Sequence, residues 1–291
     1  MREIRTLLDG LVFGEGPRWH HGALWFSDMH AHRVVRMTMD GASDTVVRVE
    51  EDIPSGLGWL PDGRLLIVAM ESGRLLRLEP NGRLETHADL SRVARGSLND
   101  MIVAADGTAY VGDMGLRIHS EEIGSIQPGQ TFRVGADGAV AQAADDLAAP
   151  NGHALTDDGR TLVVAESGGA QLTAFDVAAD GSLSGRRVYA ALTPGAGASL
   201  AAPDGFCLDA EGAAWVADPV GARVVRVVPG GAATEELPFP GETPVACVLG
   251  GDRRRTLLVC VAKSWKRDDA RRAPLARIDA IEVSVPGAGR P

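Results

Sequence analysis

Four oxygen-bearing side chains, Glu15, Asn99, Asn151 and Asp204, recur at one spacing. Each stands seven or eight residues before a turn glycine, at Gly22, Gly107, Gly159 and Gly212. Carboxylates brought close together raise each other's pKa or require a cation. A set of oxygen ligands suits a hard divalent ion such as calcium, magnesium or manganese, and zinc less naturally. Asparagine adds a neutral carbonyl oxygen, which keeps the ligand number while limiting the negative charge. Taken alone, "PNG" at 150–152 or "PDG" at 203–205 reads as an ordinary turn. Asp62, Asp106 and Asp158, each directly before a turn glycine, belong to that class. What favours a metal site is the recurrence of one position in four copies.

The copies themselves define the elements that must position these residues. Each reads as an apolar strand, a turn, a second short strand, a corner rich in Ser, Asp or Glu, a further strand and a closing glycine turn. Gly22, Gly63, Gly107, Gly159 and Gly212, with Arg254 in the sixth place, set a period of about 40 to 53 residues. That is the size of a four-stranded blade. No long segment with a helical period interrupts the strands. The expected fold is all-β: a six-bladed β-propeller of four-stranded antiparallel blades around a central channel, one domain over 1–291. The spare N-terminal strand in "EIRTLLDG" would complete the last blade and close the ring. Counting back from each turn residue gives Glu15, Ser55 or Gly56, Asn99 with Asp100 beside it, Asn151, Asp204 and roughly Ala246. These should converge at one mouth of the channel.

Composition narrows the partners. The 291 residues carry a net charge of −10. No basic stretch is long enough to track a phosphate backbone, so nucleic acid is excluded as a partner. Arg253, Arg254 and Arg255 read as a solvated turn. No run of about 18 apolar residues exists to span a membrane, and "MREIRTLLDG" has no apolar core of a signal peptide. Cys207, Cys247 and Cys260 fit no zinc spacing, and an odd count argues against a disulfide framework. They read as buried thiols in a reducing compartment, which places the protein in the cytoplasm. Monomer and homo-oligomer are both compatible with this composition.

At "FGEGPRW" (13–19), "LND" (98–100), "APNG" (149–152), "PDG" (203–205) and "LGGDRRRTLLV" (249–259) the chain resembles the SMP-30/gluconolactonase/LRE-like group of six-bladed propellers. The resemblance runs from about Leu11 to Trp265. It implies one divalent cation, calcium first, held by Glu15, Asn151 and Asp204, with Asn99 as a further ligand or a substrate contact. It also implies hydrolysis of a small or medium lactone, with Asp204 as the catalytic acid/base. The chemistry suits the residues: a cation polarises the carbonyl, and a carboxylate takes a proton from water. No "GxSxG" nucleophile elbow is present. One position departs from the pattern. Sugar-lactone hydrolases of the group often carry arginine two residues before the asparagine matching Asn99, and here that residue is Ser97, with Arg95 shifted by two. Losing the guanidinium fork removes a clamp for a hydroxyl or carbonyl, so lactone or ester hydrolysis is implied more firmly than gluconolactone itself.

Further candidates surround this set. Met29, Met70 and Met114 follow the second strand in copies one to three; they read as fillers between blades, or, at Met114, as a substrate contact. His153 and Phe206 follow Asn151 and Asp204 by two, so along a regular strand they point the same way; His153 is then a second proton carrier, a substrate contact or a filler of the channel. His30, His32 and His119 lie in corners or in the copy-three insertion, and "HAH" at 30–32 reads as an exposed turn. The insertion Leu116 to Gln130 is the lid candidate. Two other functions remain compatible with the residues: an aryl-ester or phosphotriester hydrolase on the same metal site, and a metal-stabilised binding propeller without turnover.

Overall fold

The computed structural model describes residues 2–118, 126–264 and 266–288. Among these, the strands form six four-stranded antiparallel sheets. Five sheets follow chain order, and in each the first strand of the copy is innermost. The six innermost strands are Gly14–His20, Pro54–Trp59, Leu98–Val103, Pro150–Leu155, Phe206–Leu208 and Thr243–Gly250. Each packs on the next, and the last packs on the first, which closes the ring around the channel. The sixth sheet is completed by the N-terminal strand Arg5–Leu11, antiparallel to Ala276–Glu282.

The turn between the first and second strands of each blade needs a left-handed residue, which is why glycine recurs there. Gly63 has φ 86° and Gly107 φ 90°; in the sixth blade Arg254 takes the same conformation, with φ 51°. The corner after the second strand has a different logic. In four blades that strand ends on a buried carboxylate: Asp28, Asp113, Glu166 and Asp218. Each accepts backbone N–H bonds from the loop entering its own innermost strand. Asp28 Oδ1 takes Phe13 N–H at 2.9 Å, Asp113 Oδ1 Gly96 N–H at 2.9 Å, Glu166 Oε2 Ala148 N–H at 2.7 Å and Asp218 Oδ1 Ala202 N–H at 3.1 Å. Blade two reverses the clamp, with Asp52 in the entering loop accepting Glu71 and Ser72 N–H at 2.9 Å. Donors of this kind offset the cost of burying the charge. The acidic corners are therefore structural, and they fix the backbone two or three residues before each channel position.

The innermost strands approach so closely that side chains are excluded at one level. A Cβ on Gly56 would lie 2.5 Å from the Met101 nitrogen, and one on Gly205 would lie 2.4 Å from Ala246 Cβ. The ring at this level is Gly16, Gly56, Asp100, Gly152, Gly205 and Ala246. Asp100 is thus the single large side chain in it. The residues one place earlier are Glu15, Ser55, Asn99, Asn151, Asp204 and Val245. The sixth member is Val245 rather than Ala246, and the second is Ser55 rather than Gly56.

Candidate active site

A pocket of about 370 Å³ opens at the mouth of the channel. Its floor is Glu15, Asn99, Asn151 and Asp204, the four residues that share one spacing. Strand irregularities bring them there. Register shifts interrupt the pairing between Glu15 and Arg18, Leu98 and Met101, and Pro150 and His153, and the same break recurs in blades two and six. Bulges of this kind re-aim side chains at active sites. Asp204 lies just before the short strand Phe206–Leu208, held by its own N–H to Ala217 O at 2.9 Å and by Gly205 N–H to Val245 O at 2.9 Å.

A directional chain of hydrogen bonds links the blades beneath the pocket. Ser27 Oγ donates to Ser55 O at 2.6 Å, and Ser55 Oγ to Asn99 Oδ1 at 2.8 Å. Asn99 Nδ2 donates to Asn151 Oδ1 at 2.8 Å, Asn151 Nδ2 to Ser167 Oγ at 3.4 Å, and Ser167 Oγ to Pro203 O at 2.7 Å. A carboxamide both accepts and donates, whereas an ionised carboxylate only accepts. Asparagine at 99 and 151 therefore serves as a relay between blades as well as limiting the charge.

The two carboxylates of the floor are in a different state. Glu15 Oε2 accepts the Gly16 N–H at 2.8 Å. Burial, and then the neighbouring charges of Asp204 and Asp100, push the Glu15 carboxyl well above its ordinary range. Asp204 is pushed up to about 8, first by burial and then by Asp100; bonds from Asn151 and the Gly205 N–H offset this only in part. Asp204 Oδ1 is buried without any hydrogen-bond partner. Below them, Arg18 fills the channel, 5% exposed. It donates from Nη2 to Asp100 Oδ1 at 2.6 Å and to Met101 O, from Nε to Leu57 O at 3.1 Å, and from Nη1 to Pro17 O at 2.9 Å. Arg18 is thus committed to Asp100. When all are ionised, three carboxylates and one guanidinium leave the floor two charges negative.

This donor set fits a divalent cation. The orphaned Asp204 Oδ1, the Glu15 carboxylate and the second lone pair of Asn151 Oδ1 are oxygens that a hard ion takes. Among the described residues no three His, Cys, Asp or Glu side chains group as a metal site, so the carboxamides must complete the ligand count. One result follows for the cation-free protein. Groups whose pKa is raised on folding contribute stability that is present below their unfolded value, near 4 for Asp204, and is lost as pH rises through about 8. Glu15 acts in the same direction. The midpoint of thermal unfolding without cation is expected to fall between pH 4 and pH 8, by an amount on the order of a few kcal/mol in free energy, and Asp204→Asn should flatten that slope.

The other candidates divide. Met114 and Met29 line the pocket, while Met70 is buried in the core. Ser97 lies outside the pocket wall, with its Oγ donating to Glu71 Oε1 at 3.1 Å. Arg95 pairs with Asp145 at 2.5 Å on the surface. His153 does not share the pocket with Asn151. The bulge between them turns it into a separate narrow cavity of about 20 Å³, shared with Arg18 and Phe206. There its Nδ1 meets Asn151 O at 2.7 Å and its Nε2 meets Thr131 Oγ1 at 3.1 Å. Burial pushes His153 down to about 4, so it stays neutral. "HAH" is no exposed turn: His30 is buried against the Phe13 ring at 5.1 Å, and His32 Nδ1 meets Asp52 O at 2.6 Å. From the insertion, Leu116 and Ile118 form part of the wall; His119 and the rest of 119–125 lie outside the described residues. Phe13, Pro219, Val220, Thr243 and Val245 complete the wall. Their signal in the sequence is position alone: two before Glu15, directly after the Asp218 corner, or at the start of the sixth innermost strand.

Comparison with known proteins bears on the fold and the family. The profile of the SMP-30/Gluconolactonase/LRE-like region matches residues 13–263. A 6-deoxy-6-sulfogluconolactonase of Pseudomonas putida is 28% identical over 96% of this chain and 94% of its own. Regucalcin of Xenopus laevis is 27% identical over 93% and 91%. Among solved structures, a luciferin-regenerating enzyme superposes with a TM-score of 0.82 at 20% identity, covering 100% of this chain and 98% of that one. A regucalcin of Agrobacterium tumefaciens, described as calcium-binding, gives 0.80 at 24%, covering 100% and 97%.

Proposed function

Since the chain belongs to the SMP-30/gluconolactonase/LRE-like family, we propose that it is a lactonase that works with one divalent cation, calcium first, and zinc, magnesium or manganese as alternatives. The observation that carries this reading is the buried, unpartnered Asp204 Oδ1 on the same pocket floor as the buried Glu15 carboxyl. The names of two relatives support it: one acts on a sugar lactone, and a regucalcin is described as binding calcium. Three free cysteines suit a reducing, cytoplasmic setting.

In this reading Glu15, Asn151 and Asp204 hold the cation, with Asn99 at its side. Bound there, a divalent ion supplies polarisation of the lactone carbonyl and stabilisation of the oxyanion. The chain's own residues do the rest. Asp204 takes a proton from the attacking water on its carboxylate and returns it to the ring oxygen that leaves as an alcohol. Burial and the Asp100 charge raise the basicity of this carboxylate, against the pull of a bound ion. Asn99 and Asn151 hold their orientation through the serine relay. The apolar wall excludes bulk water from the floor.

The test is proton release from a panel of lactones by chelator-treated protein, before and after each cation is restored. Turnover regained with one cation is the expected result. No turnover with any, on a protein shown to bind one, overturns the reading in favour of an aryl ester, a phosphotriester or a binding role. Glu15→Gln should weaken the cation's affinity, measured by calorimetry, by at least about 10-fold. A variant with unchanged affinity would remove Glu15 from the ligand set.

A further inference from the structure

The wall above the floor has a chemistry of its own. Phe13, Met29, Met114, Leu116, Ile118 and Val220 surround the opening. Among the described residues of the wall there is no Lys, Arg or His, and Thr243 carries its single hydroxyl. The two polar groups that could have reached in are used elsewhere: Arg95 by Asp145, and Ser97 by Glu71. A substrate with many hydroxyls would strip them of water against this wall and find one partner. An anionic substituent would meet no cationic side chain among the described residues of the wall to replace the water it gives up. A hydrocarbon chain would gain on every buried methylene.

Resting on the lactonase reading, we infer that the substrate is a lactone bearing an alkyl or aryl substituent, and not a polyhydroxylated or anionic sugar lactone. The ring carbonyl sits over Asp204 and Asn99. The substituent runs up between Met114 and Phe13 toward Val220, which is 51% exposed at the rim. The selectivity is set by the wall, not by the floor.

Two measurements on cation-supplemented protein test this. The first is kcat/KM for γ-lactones of increasing alkyl length and for glucono-δ-lactone. The second is calorimetric affinity for non-hydrolysable lactams, one alkylated and one polyhydroxylated. Each added methylene should raise kcat/KM about threefold to fourfold until the chain leaves the wall, and the alkyl lactam should bind at least about 10-fold more tightly than the hydroxylated one. Met114→Gln, nearly unchanged in volume, should narrow both ratios about 10-fold. Preference for the hydroxylated ligands, no binding of either lactam, or ratios unmoved by Met114→Gln would overturn the inference. Alkyl preference among lactams with no lactone opened would uphold the selectivity of the wall for apolar substituents and sink the lactonase reading instead.

Discussion

Asp204→Asn is expected to leave the propeller folded and its cation bound, and to lower kcat for lactone opening by about 100- to 10,000-fold. Asparagine already stands at the matching position in two blades, at 99 and 151, so the backbone and the ring of close strands accept it. The carboxamide oxygen can still ligate. What disappears is the basic carboxylate, since a carboxamide takes no proton at neutral pH. The readout is kcat at saturating substrate alongside calorimetric cation affinity. A variant with full turnover would remove Asp204 as the base, and a variant that had lost the cation would make its role that of a ligand alone.

The second large effect is on stability. Arg18→Met should cost about 3–5 kcal/mol in denaturant unfolding. Arg18 is the donor to Asp100 and to the Leu57, Pro17 and Met101 carbonyls. Methionine fills much of the volume and leaves those acceptors dry. The combined variant Arg18→Met with Asp100→Leu should regain a good part of the loss, because the buried charge goes with its partner. If the single variant cost less than 1 kcal/mol, the channel below the site would have to be wet enough to solvate Asp100 on its own.

The repeat was legible because its signal is a backbone requirement. A tight turn at φ near +80° calls for glycine, and five of the six turns have it; Arg254 falls in the sixth place by count, and its φ of 51° fits. The floor residues were legible by the same count, since each lies a fixed distance from that turn. The count loses the facing of side chains where one extra residue enters a strand. A bulge reverses which face the next side chain takes, so His153 lies away from Asn151 and Val245 takes the place expected of Ala246. The wall was harder still. Leu116, Ile118, Pro219 and Val220 come from corners of unequal length, and no period connects them. The acidic corners show that residue type alone does not mark the site: Asp28, Asp113, Glu166 and Asp218 carry the same oxygens as the floor, yet spend them on backbone N–H groups.

The pairing of Arg5–Leu11 with Ala276–Glu282 has a consequence for how the chain is made. Thr6 Oγ1 donates to Asp279 Oδ1 at 2.8 Å across 273 positions of sequence. During synthesis the strand Arg5–Leu11 must wait, its edge open, until its partner Ala276–Glu282 has left the ribosome. Closing so long a loop costs little more at equilibrium than closing a shorter one, because the entropy grows only with the logarithm of length. In time it is expensive, since contacts of such separation form late. Five blades can stack while the seam stays open, and that partial ring carries the unpaired edge on which nascent chains stick to one another. Glu15 begins four residues beyond the waiting strand. The pocket is therefore assembled at the close of folding, when the clasp shuts.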